Sequence, residues 1–407
     1  MEETTSPIVL DPLARWTSTD LSKHKTIPIS GKSVITALLL SQDRIIIASD
    51  DSCIHVFCAA SGELLHSLYG HLGGVWCIAV SKDGRKLVSG STDRVLRVWD
   101  LTTGASTHAF RGHTGTIRCL DIAEPVDGID AALEHPLIVS ASRDRTLRIW
   151  KLPLVGDQEY VDNLEEDDDF AAEKAASNNP YHLRRLEGHD HAIRSLSVHG
   201  RIAASGSYDT TVRVWDIVTG DCKWVFAGHT QKVYSIALDF PRAQVYSAGM
   251  DGTVRVWDLH DGSCKQILWG HASLVGLIDV SPRFLVSASA DATLRTWDPE
   301  TGKPLHTLEG YTGAITCFHH DDSVAVSGSS GSLKVWDLST GKELNDLMPS
   351  ATHIWQVAFD DRRCVAASST QELLTCLTIW DLPSTSGSTH DALDSRKDQQ
   401  VFLGSKL

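Results

Sequence analysis

SGSTDRVLRVWD, residues 89–100, returns along the chain as SASRDRTLRIW (140–150), SGSYDTTVRVWD (205–216), SAGMDGTVRVWD (247–258), SASADATLRTWD (287–298) and SGSSGSLKVWD (327–337). In each complete copy an Asp stands six residues before a Trp, alternating apolar residues lead into that Trp, and a Gly-His pair lies upstream. Alternation of that kind marks half-buried strands, and self-similarity at a fixed period marks a repeat architecture. Anchored on the Trp or its aromatic stand-in, the copies fall at Phe57, Trp99, Trp150, Trp215, Trp257, Trp297, Trp336 and Trp380. The gaps are 42, 51, 65, 42, 40, 39 and 44 residues.

A period of about 40–45 residues with this signature is that of a WD40 repeat, four strands to a blade. Eight anchors predict an all-β chain, an eight-bladed WD40 β-propeller over residues 33–382. Ring closure removes most of the free sheet edge that so many strands would otherwise expose. The two long gaps must hold insertions; one is the connection 124–136 inside blade three, the other residues 153–184. Between Asp157 and Lys174 there are nine acidic residues and one basic one, without strand alternation. That segment is expected to be a mobile surface loop or a short helix. Residues 1–32 form an extension, part of which is expected to complete the last blade. After Pro383 the tail is polar and expected to be disordered.

The repeated polar residues have a structural cause. His before a blade, Ser ending one strand, Asp in the next turn and Trp in the following strand can share one hydrogen-bonded relay. Complete sets are His71/Ser89/Asp93/Trp99, His113/Ser140/Asp144/Trp150, His189/Ser205/Asp209/Trp215, His229/Ser247/Asp251/Trp257 and His271/Ser287/Asp291/Trp297. A hydrolase triad is a single site. Five copies, one per blade, point to a scaffold brace, and the chain is expected not to be an enzyme. Blade one has Phe57 for the Trp, and blade seven, with Tyr311 for the His and Ser330 for the Asp, is expected to have a broken relay.

The net charge of −15 argues against a generic nucleic-acid binder. Nine cysteines, largely at the blade period and without metal-ligand spacing, read as small strand hydrophobes in a reducing compartment; no metal and no cofactor is expected. No apolar run is long enough to span a bilayer. The location expected is nucleus and/or cytoplasm, with no membrane partner.

A propeller is a binding platform whose specificity lies at the turns around the channel mouth. Two positions per blade project there: the residue before the turn Asp, and the third residue of the triplet opening each blade. The first set reads Asp50, Thr92, Arg143, Tyr208, Met250, Ala290 and Ser329; the second reads Trp76, Arg118, Arg194, Tyr234, Gly276, Thr316 and Trp355. Arg118, Arg143 and Arg194 thus converge from blades three and four, with Tyr208 between them and Arg94 and Lys232 close by. Clustered guanidinium groups repel, which an arriving phosphate would relieve, each Arg–phosphate hydrogen bond being worth about 1.5–3 kcal/mol. Pairing of Arg118 or Arg143 with Asp144 or the acidic insertion is the competing reading.

Beyond the repeat consensus, the strings GGVWCIAV, STDRVLRVWD, GTIRCLDI, SRDRTLRIWKLP, NPYHLRRLEGH, AIRSLSVHG, GHTQKVYSIALD, TGAITCF and WQVAFDDRRCVAA resemble the propellers of Cdc4/Fbw7-type F-box/WD40 substrate receptors of SCF ubiquitin ligases. The resemblance implies binding of phosphodegron peptides of the Ser/Thr-Pro type. It implies that Arg118, Arg143, Arg194 and Tyr208 hold the phosphate and that Trp76, Thr92 and Thr116 accept the following Pro. Tyr234, Met250 and Trp355 would receive apolar residues before it, while Arg94 and Lys232 would add positive potential. Residues 1–32 are too few for an F-box of three helices. Docking on a Skp1/cullin ligase is therefore expected only with an F-box supplied elsewhere. The alternatives are an interaction scaffold without phosphate dependence and a shortened form that competes for substrates.

Overall fold

The computed structural model describes residues 13–17, 23–29, 31–41, 43–126, 133–154, 156–162, 169–349, 351–370 and 374–383. Among them eight antiparallel-meander sheets follow one another along the chain. Blade four shows the plan: Ile193–His199 inside, then Ile202–Ser207, Thr211–Asp216, and Cys222–Ala227 at the rim, each hydrogen-bonded to the one before. The second strand of each blade is the most buried, with Lys86–Ser91, Leu137–Ser142, Gln244–Gly249 and Val324–Ser329 buried throughout. It is covered on both faces by neighbouring blades, so the apolar clusters span blade boundaries. One such cluster joins Val139 and Ile149 of blade three to Leu196 and Trp215 of blade four.

Residues before blade one do complete the last sheet. Lys25–Pro28 pairs antiparallel with Thr375–Asp381, Pro28 opposite Cys376, and becomes the rim strand of blade eight. Pro28 is tolerated there because a rim strand has one side without a ladder. Ahead of it, the short helix α1 (Ala14–Thr17) buries Trp16 completely against blades seven and eight. The Trp16 ring meets Phe359 edge-on at 5.5 Å, and Arg15 reaches Asp321 of blade seven at 3.1 Å and Asp361 of blade eight at 3.0 Å.

The acidic insertion is partly ordered structure. Tyr160–Val161 adds a parallel fifth strand to blade two, beside Ser106–Phe110. Helix α2 (Asp169–Asn178) then packs on blade three, where Glu173 accepts from Arg148 at 2.5 Å and from Arg185 at 3.1 Å. Residues 163–168 of the insertion, residues 1–12 and the tail from 384 lie outside the described residues.

All five relays form, in the order Asp, His, Ser, Trp. In blade four Asp209 holds His189 Nδ1 at 2.7 Å, His189 Nε2 meets Ser205 Oγ at 2.9 Å, and the Trp215 indole N–H donates to the same Oγ at 2.9 Å. Asp209 also accepts the backbone N–H groups of Asp190 and Thr211, tying the loop before the blade to the turn within it. Ser89, Ser140, Ser205, Ser247 and Ser287 are 0% exposed, closed to any substrate. In blade seven the relay is rewired rather than broken. The Tyr311 hydroxyl sits 2.6 Å from Ser327 Oγ, and the Trp336 N–H donates to both oxygens at 3.1 Å. The cysteines fit the strand reading only in part, since Cys222 and Cys264 are exposed.

Candidate functional site at the channel mouth

The inner strand of every blade carries one register shift, and it falls at the same place each time. Ile117 pairs with Ser142 and Cys119 with Ala141, leaving Arg118 as the bulged residue. The same bulge isolates Thr36, Trp76, Arg194, Tyr234, Gly276, Thr316 and Trp355. A β-bulge re-aims the side chain it carries and ends regular pairing. The bulged residues are the third residues of the opening triplets together with Thr36 of blade one, which is 0% exposed and donates its hydroxyl to the Ala48 and Val75 carbonyls rather than facing the mouth.

A second periodic contact brings the turn residues beside them. The N–H groups of Thr92, Arg143, Tyr208 and Met250 donate to the carbonyls of Gly74, Thr116, Ala192 and Lys232, each at 2.8–3.0 Å. Each turn residue is thus bonded to a backbone position two residues before a bulge. Blade seven, whose turn is one residue shorter, departs from this pattern. Ser329 is buried and bonded to the Gly313 and Ala314 carbonyls, so the residue at the mouth is Ser330 rather than Ser329.

The bulged residues do not share one pocket. Trp76, Arg118, Arg194, Tyr234 and Gly276 line a depression shared by blades one to six, together with Leu39 of blade one and with Cys77, Cys119, Ser195 and Ser235. Trp355 belongs to a different pocket with Thr316, Ser330, His353 and Gln356, on the arc of blades seven, eight and one. It is 9% exposed and packed against Ile35 and Ala358, which makes it part of the core as well as of the mouth. Arg143, Thr92 and Met250 are exposed on their turns, Met250 at 45%, and are not among the residues that line the first depression. Arg94 is half-buried, one residue past its turn Asp, at φ 68°.

Cations and aromatic rings alternate around that depression. Arg118 lies 4.0 Å over the Trp76 ring, Arg194 5.8 Å from the Tyr234 ring, and Lys232 4.8 Å from the Tyr208 ring. Tyr208 and Tyr234 contact each other at 5.3 Å. Desolvation first and repulsion from Arg194 second pull the Arg118 guanidinium down to about 10, so the two charges feel each other across the blade boundary. Burial and the adjoining Tyr208 hold the Tyr234 phenol above its ordinary value. Asp144 is committed elsewhere: one carboxylate oxygen takes His113 and the Thr114 N–H, the other the Thr146 N–H and hydroxyl. The arrangement suits an anion with several acceptor oxygens flanked by apolar surface.

The model of the WD domain, G-beta repeat family matches residues 62–100, 104–151, 181–216, 220–258, 262–298 and 302–337. The chain is similar to cell division control protein 4 of Candida albicans, 45% identical over 87% of this chain and 52% of that protein. It is also similar to WD repeat-containing protein pop2 of Schizosaccharomyces pombe, 42% identical over 84% of this chain and 49% of that one. With cell division control protein 4 of Saccharomyces cerevisiae the identity is 38%, over 82% and 44%. The chain spans about half the length of these relatives. Among solved structures, the computationally designed Ika8 protein matches with a TM-score of 0.71 and 27% identity, over 88% of this chain and all of that one.

Proposed function

From a chain that belongs to the WD40-repeat family and has Cdc4 proteins among its relatives, we propose a propeller that recognises phosphorylated Ser/Thr-Pro peptides as the substrate-binding part of an SCF-type ubiquitin ligase. The chain itself is non-catalytic in this reading. The observation that carries it is the pair Arg118 and Arg194 in one walled depression, each beside an aromatic ring.

Two guanidinium groups held near each other in a partly desolvated site raise the potential there, and a phosphate of charge near −2 lowers it again. Arg143 and Tyr208, on turns anchored beside the bulges, would complete the phosphate's coordination. Trp76, Thr92 and Thr116 would face the residue after the phosphate, where a rigid proline ring stacks on an indole at little entropic cost. Tyr234 and the exposed Met250 would take the apolar residues before it, and Trp355 would offer a second apolar surface from the far arc. Arg94 and Lys232 would disfavour basic residues on the ligand. Ubiquitination and proteasomal degradation of the bound protein would then depend on docking to a Skp1/cullin assembly.

Titration calorimetry with a Thr-Pro peptide, phosphorylated and not, tests this. The phosphorylated form is expected to bind at least 100-fold more tightly, and Arg194→Ala to remove the difference while the melting temperature stays within a few degrees. Equal affinity for both forms would leave a phosphate-independent scaffold.

A further inference from the structure

We infer that Asp121 is a positioning residue that sets the spacing of Arg118 and Arg194, an inference that rests on the phosphate-binding reading of that pair. Asp121 lies on the inner strand Ile117–Ala123 of blade three, three residues beyond Arg118, and is 8% exposed. One carboxylate oxygen accepts the N–H of its neighbour Ile122 at 2.8 Å. The other crosses to blade four and accepts the N–H of Val198 at 3.1 Å, four residues beyond Arg194.

Inner strands of adjacent blades share no backbone ladder. Their separation is set by side-chain packing and by links of this kind. A carboxylate is a strong acceptor, and two oxygens on one planar group fix two backbone N–H donors at a set distance. The link spans the pair of strands that carry the two arginines, and so fixes how far apart their charges stand. Keeping a carboxylate there is unfavourable in itself: burial raises it to about 7, against the pull of the two backbone N–H groups, with Glu124 adding to the rise.

The same position elsewhere shows what the link requires. In blade four it holds Ser197, whose hydroxyl accepts the Leu238 N–H of blade five at 3.2 Å. In blade seven it holds His319, whose Nδ1 accepts the Phe359 N–H of blade eight at 3.0 Å, far from the arginine pair. In blade six it holds Asp279, one oxygen of which accepts the Val280 N–H at 2.8 Å while the other lies 3.6 Å from His320 Nε2 of blade seven, a side chain rather than a backbone N–H. Leu39, Ala79, Ala237 and Ala358 occupy it in the remaining four blades and supply no acceptor.

The test uses the full chain with Asp121→Ala, Asp121→Ser and His319→Ala. Without any ligand, the Nε–H resonances of Arg118 and Arg194 in nuclear magnetic resonance spectra are expected to shift in Asp121→Ala. They are expected to return toward the parent positions in Asp121→Ser, because a hydroxyl makes the equivalent link in blade four. With a phosphorylated Thr-Pro peptide, Asp121→Ala is expected to bind about 10-fold more weakly, Asp121→Ser within threefold of the parent, and His319→Ala at parental affinity. If the arginine signals move while the parent chain binds phosphorylated and unphosphorylated peptide equally, the phosphate reading fails and the link stands. Unmoved arginine signals in a folded Asp121→Ala chain, or an equal affinity loss in His319→Ala, would overturn the link. Should Asp121→Ala not fold, Asp121→Ser decides: arginine shifts and affinity far from parental overturn it as well.

Discussion

The guanidinium carbon of Arg118 stands 4.0 Å from the centre of the Trp76 ring and so joins blade three to blade two. A cation over an indole gains about 0.5–2 kcal/mol, more as water is excluded. Stacking also fixes the guanidinium plane, which a flexible side chain would otherwise have to order when an anion arrives.

Trp76→Leu removes both the ring beneath Arg118 and the surface proposed for the proline after the phosphate. It is expected to weaken binding of a phosphopeptide with that proline about 10-fold, with most of the change in the dissociation rate, and to weaken binding of one with alanine in its place less, the remainder being the loss at Arg118. Surface plasmon resonance with the two phosphopeptides measures it.

Ser205 is the acceptor for the Trp215 indole and the partner of His189 in one buried relay. Ser205→Ala removes both contacts and leaves two buried polar groups without a partner, costing about 2–4 kcal/mol. Urea unfolding should show the midpoint fall accordingly. Phosphopeptide affinity of the folded fraction at low temperature should be close to parental, since the relay does not line the mouth.

Acid is expected to weaken the ring through the same relays. Burial alone would raise Asp93, Asp144, Asp209, Asp251 and Asp291, but hydrogen bonds from His, Thr and backbone N–H groups bring all five below the ordinary carboxylate value, Asp291 to about 2. A carboxylate depressed by folding stabilises above its unfolded value near 3.8 and loses that contribution as pH falls through the folded one. Asp121, raised to about 7 by burial, has the opposite sign: its contribution is lost as pH rises through about 7. Burial also holds His55, His108, His182, His271 and His319 below the ordinary imidazole value, so each loses stability as pH falls below about 6.5, outweighing the gain from Asp121. Melting curves should therefore show stability beginning to fall between pH 7 and 5 and falling steeply between pH 4 and 2. Stability that rises from pH 7 to 5 would contradict this balance.

Trp16 fills the junction of blades seven and eight from outside the repeats. Trp16→Ala opens a cavity the size of an indole, and losses of about 3–5 kcal/mol accompany such changes in packed cores. Hydrogen exchange is expected to speed up first in Val324–Ser329 and Arg363–Ser369, the second strands of those two blades. Blades three to five should keep their protection until global unfolding.

How much of this was legible in the chain depends on whether a residue repeats. Trp99 and its counterparts gave the blade count, and the five Asp/His/Ser/Trp sets named the relay before its geometry was known. The mouth residues were legible for the same reason, since a bulge at one fixed place turns a column of the repeat into a ring. What the repeat does not contain, the sequence hid. Asp121 stands at a position that is alanine or leucine in four blades and Ser197, Asp279 or His319 in three others, so the column has no constant polar residue to mark a tie to Val198. Tyr311 read as a lost histidine because substitution was judged by residue type, whereas its longer side chain brings a hydroxyl to the place the imidazole nitrogen fills. Trp355 shares the bulge column with Tyr234, but in a ring of eight blades the two residues line different pockets. Ser329 was misassigned by one residue because a shorter turn shifts the count.

The rim strand Lys25–Pro28 lies beside Thr375–Asp381, so segments about 350 residues apart in the chain meet in one ladder. Tension applied between residues 25 and 383 would therefore load that seam first. Once it gave way, blade eight would lose its outermost strand, and the last hold on the circle would be the apolar contact of Ile35 and Leu38 with Ala358 and Val365 and the Gln356 amide on the Thr36 carbonyl.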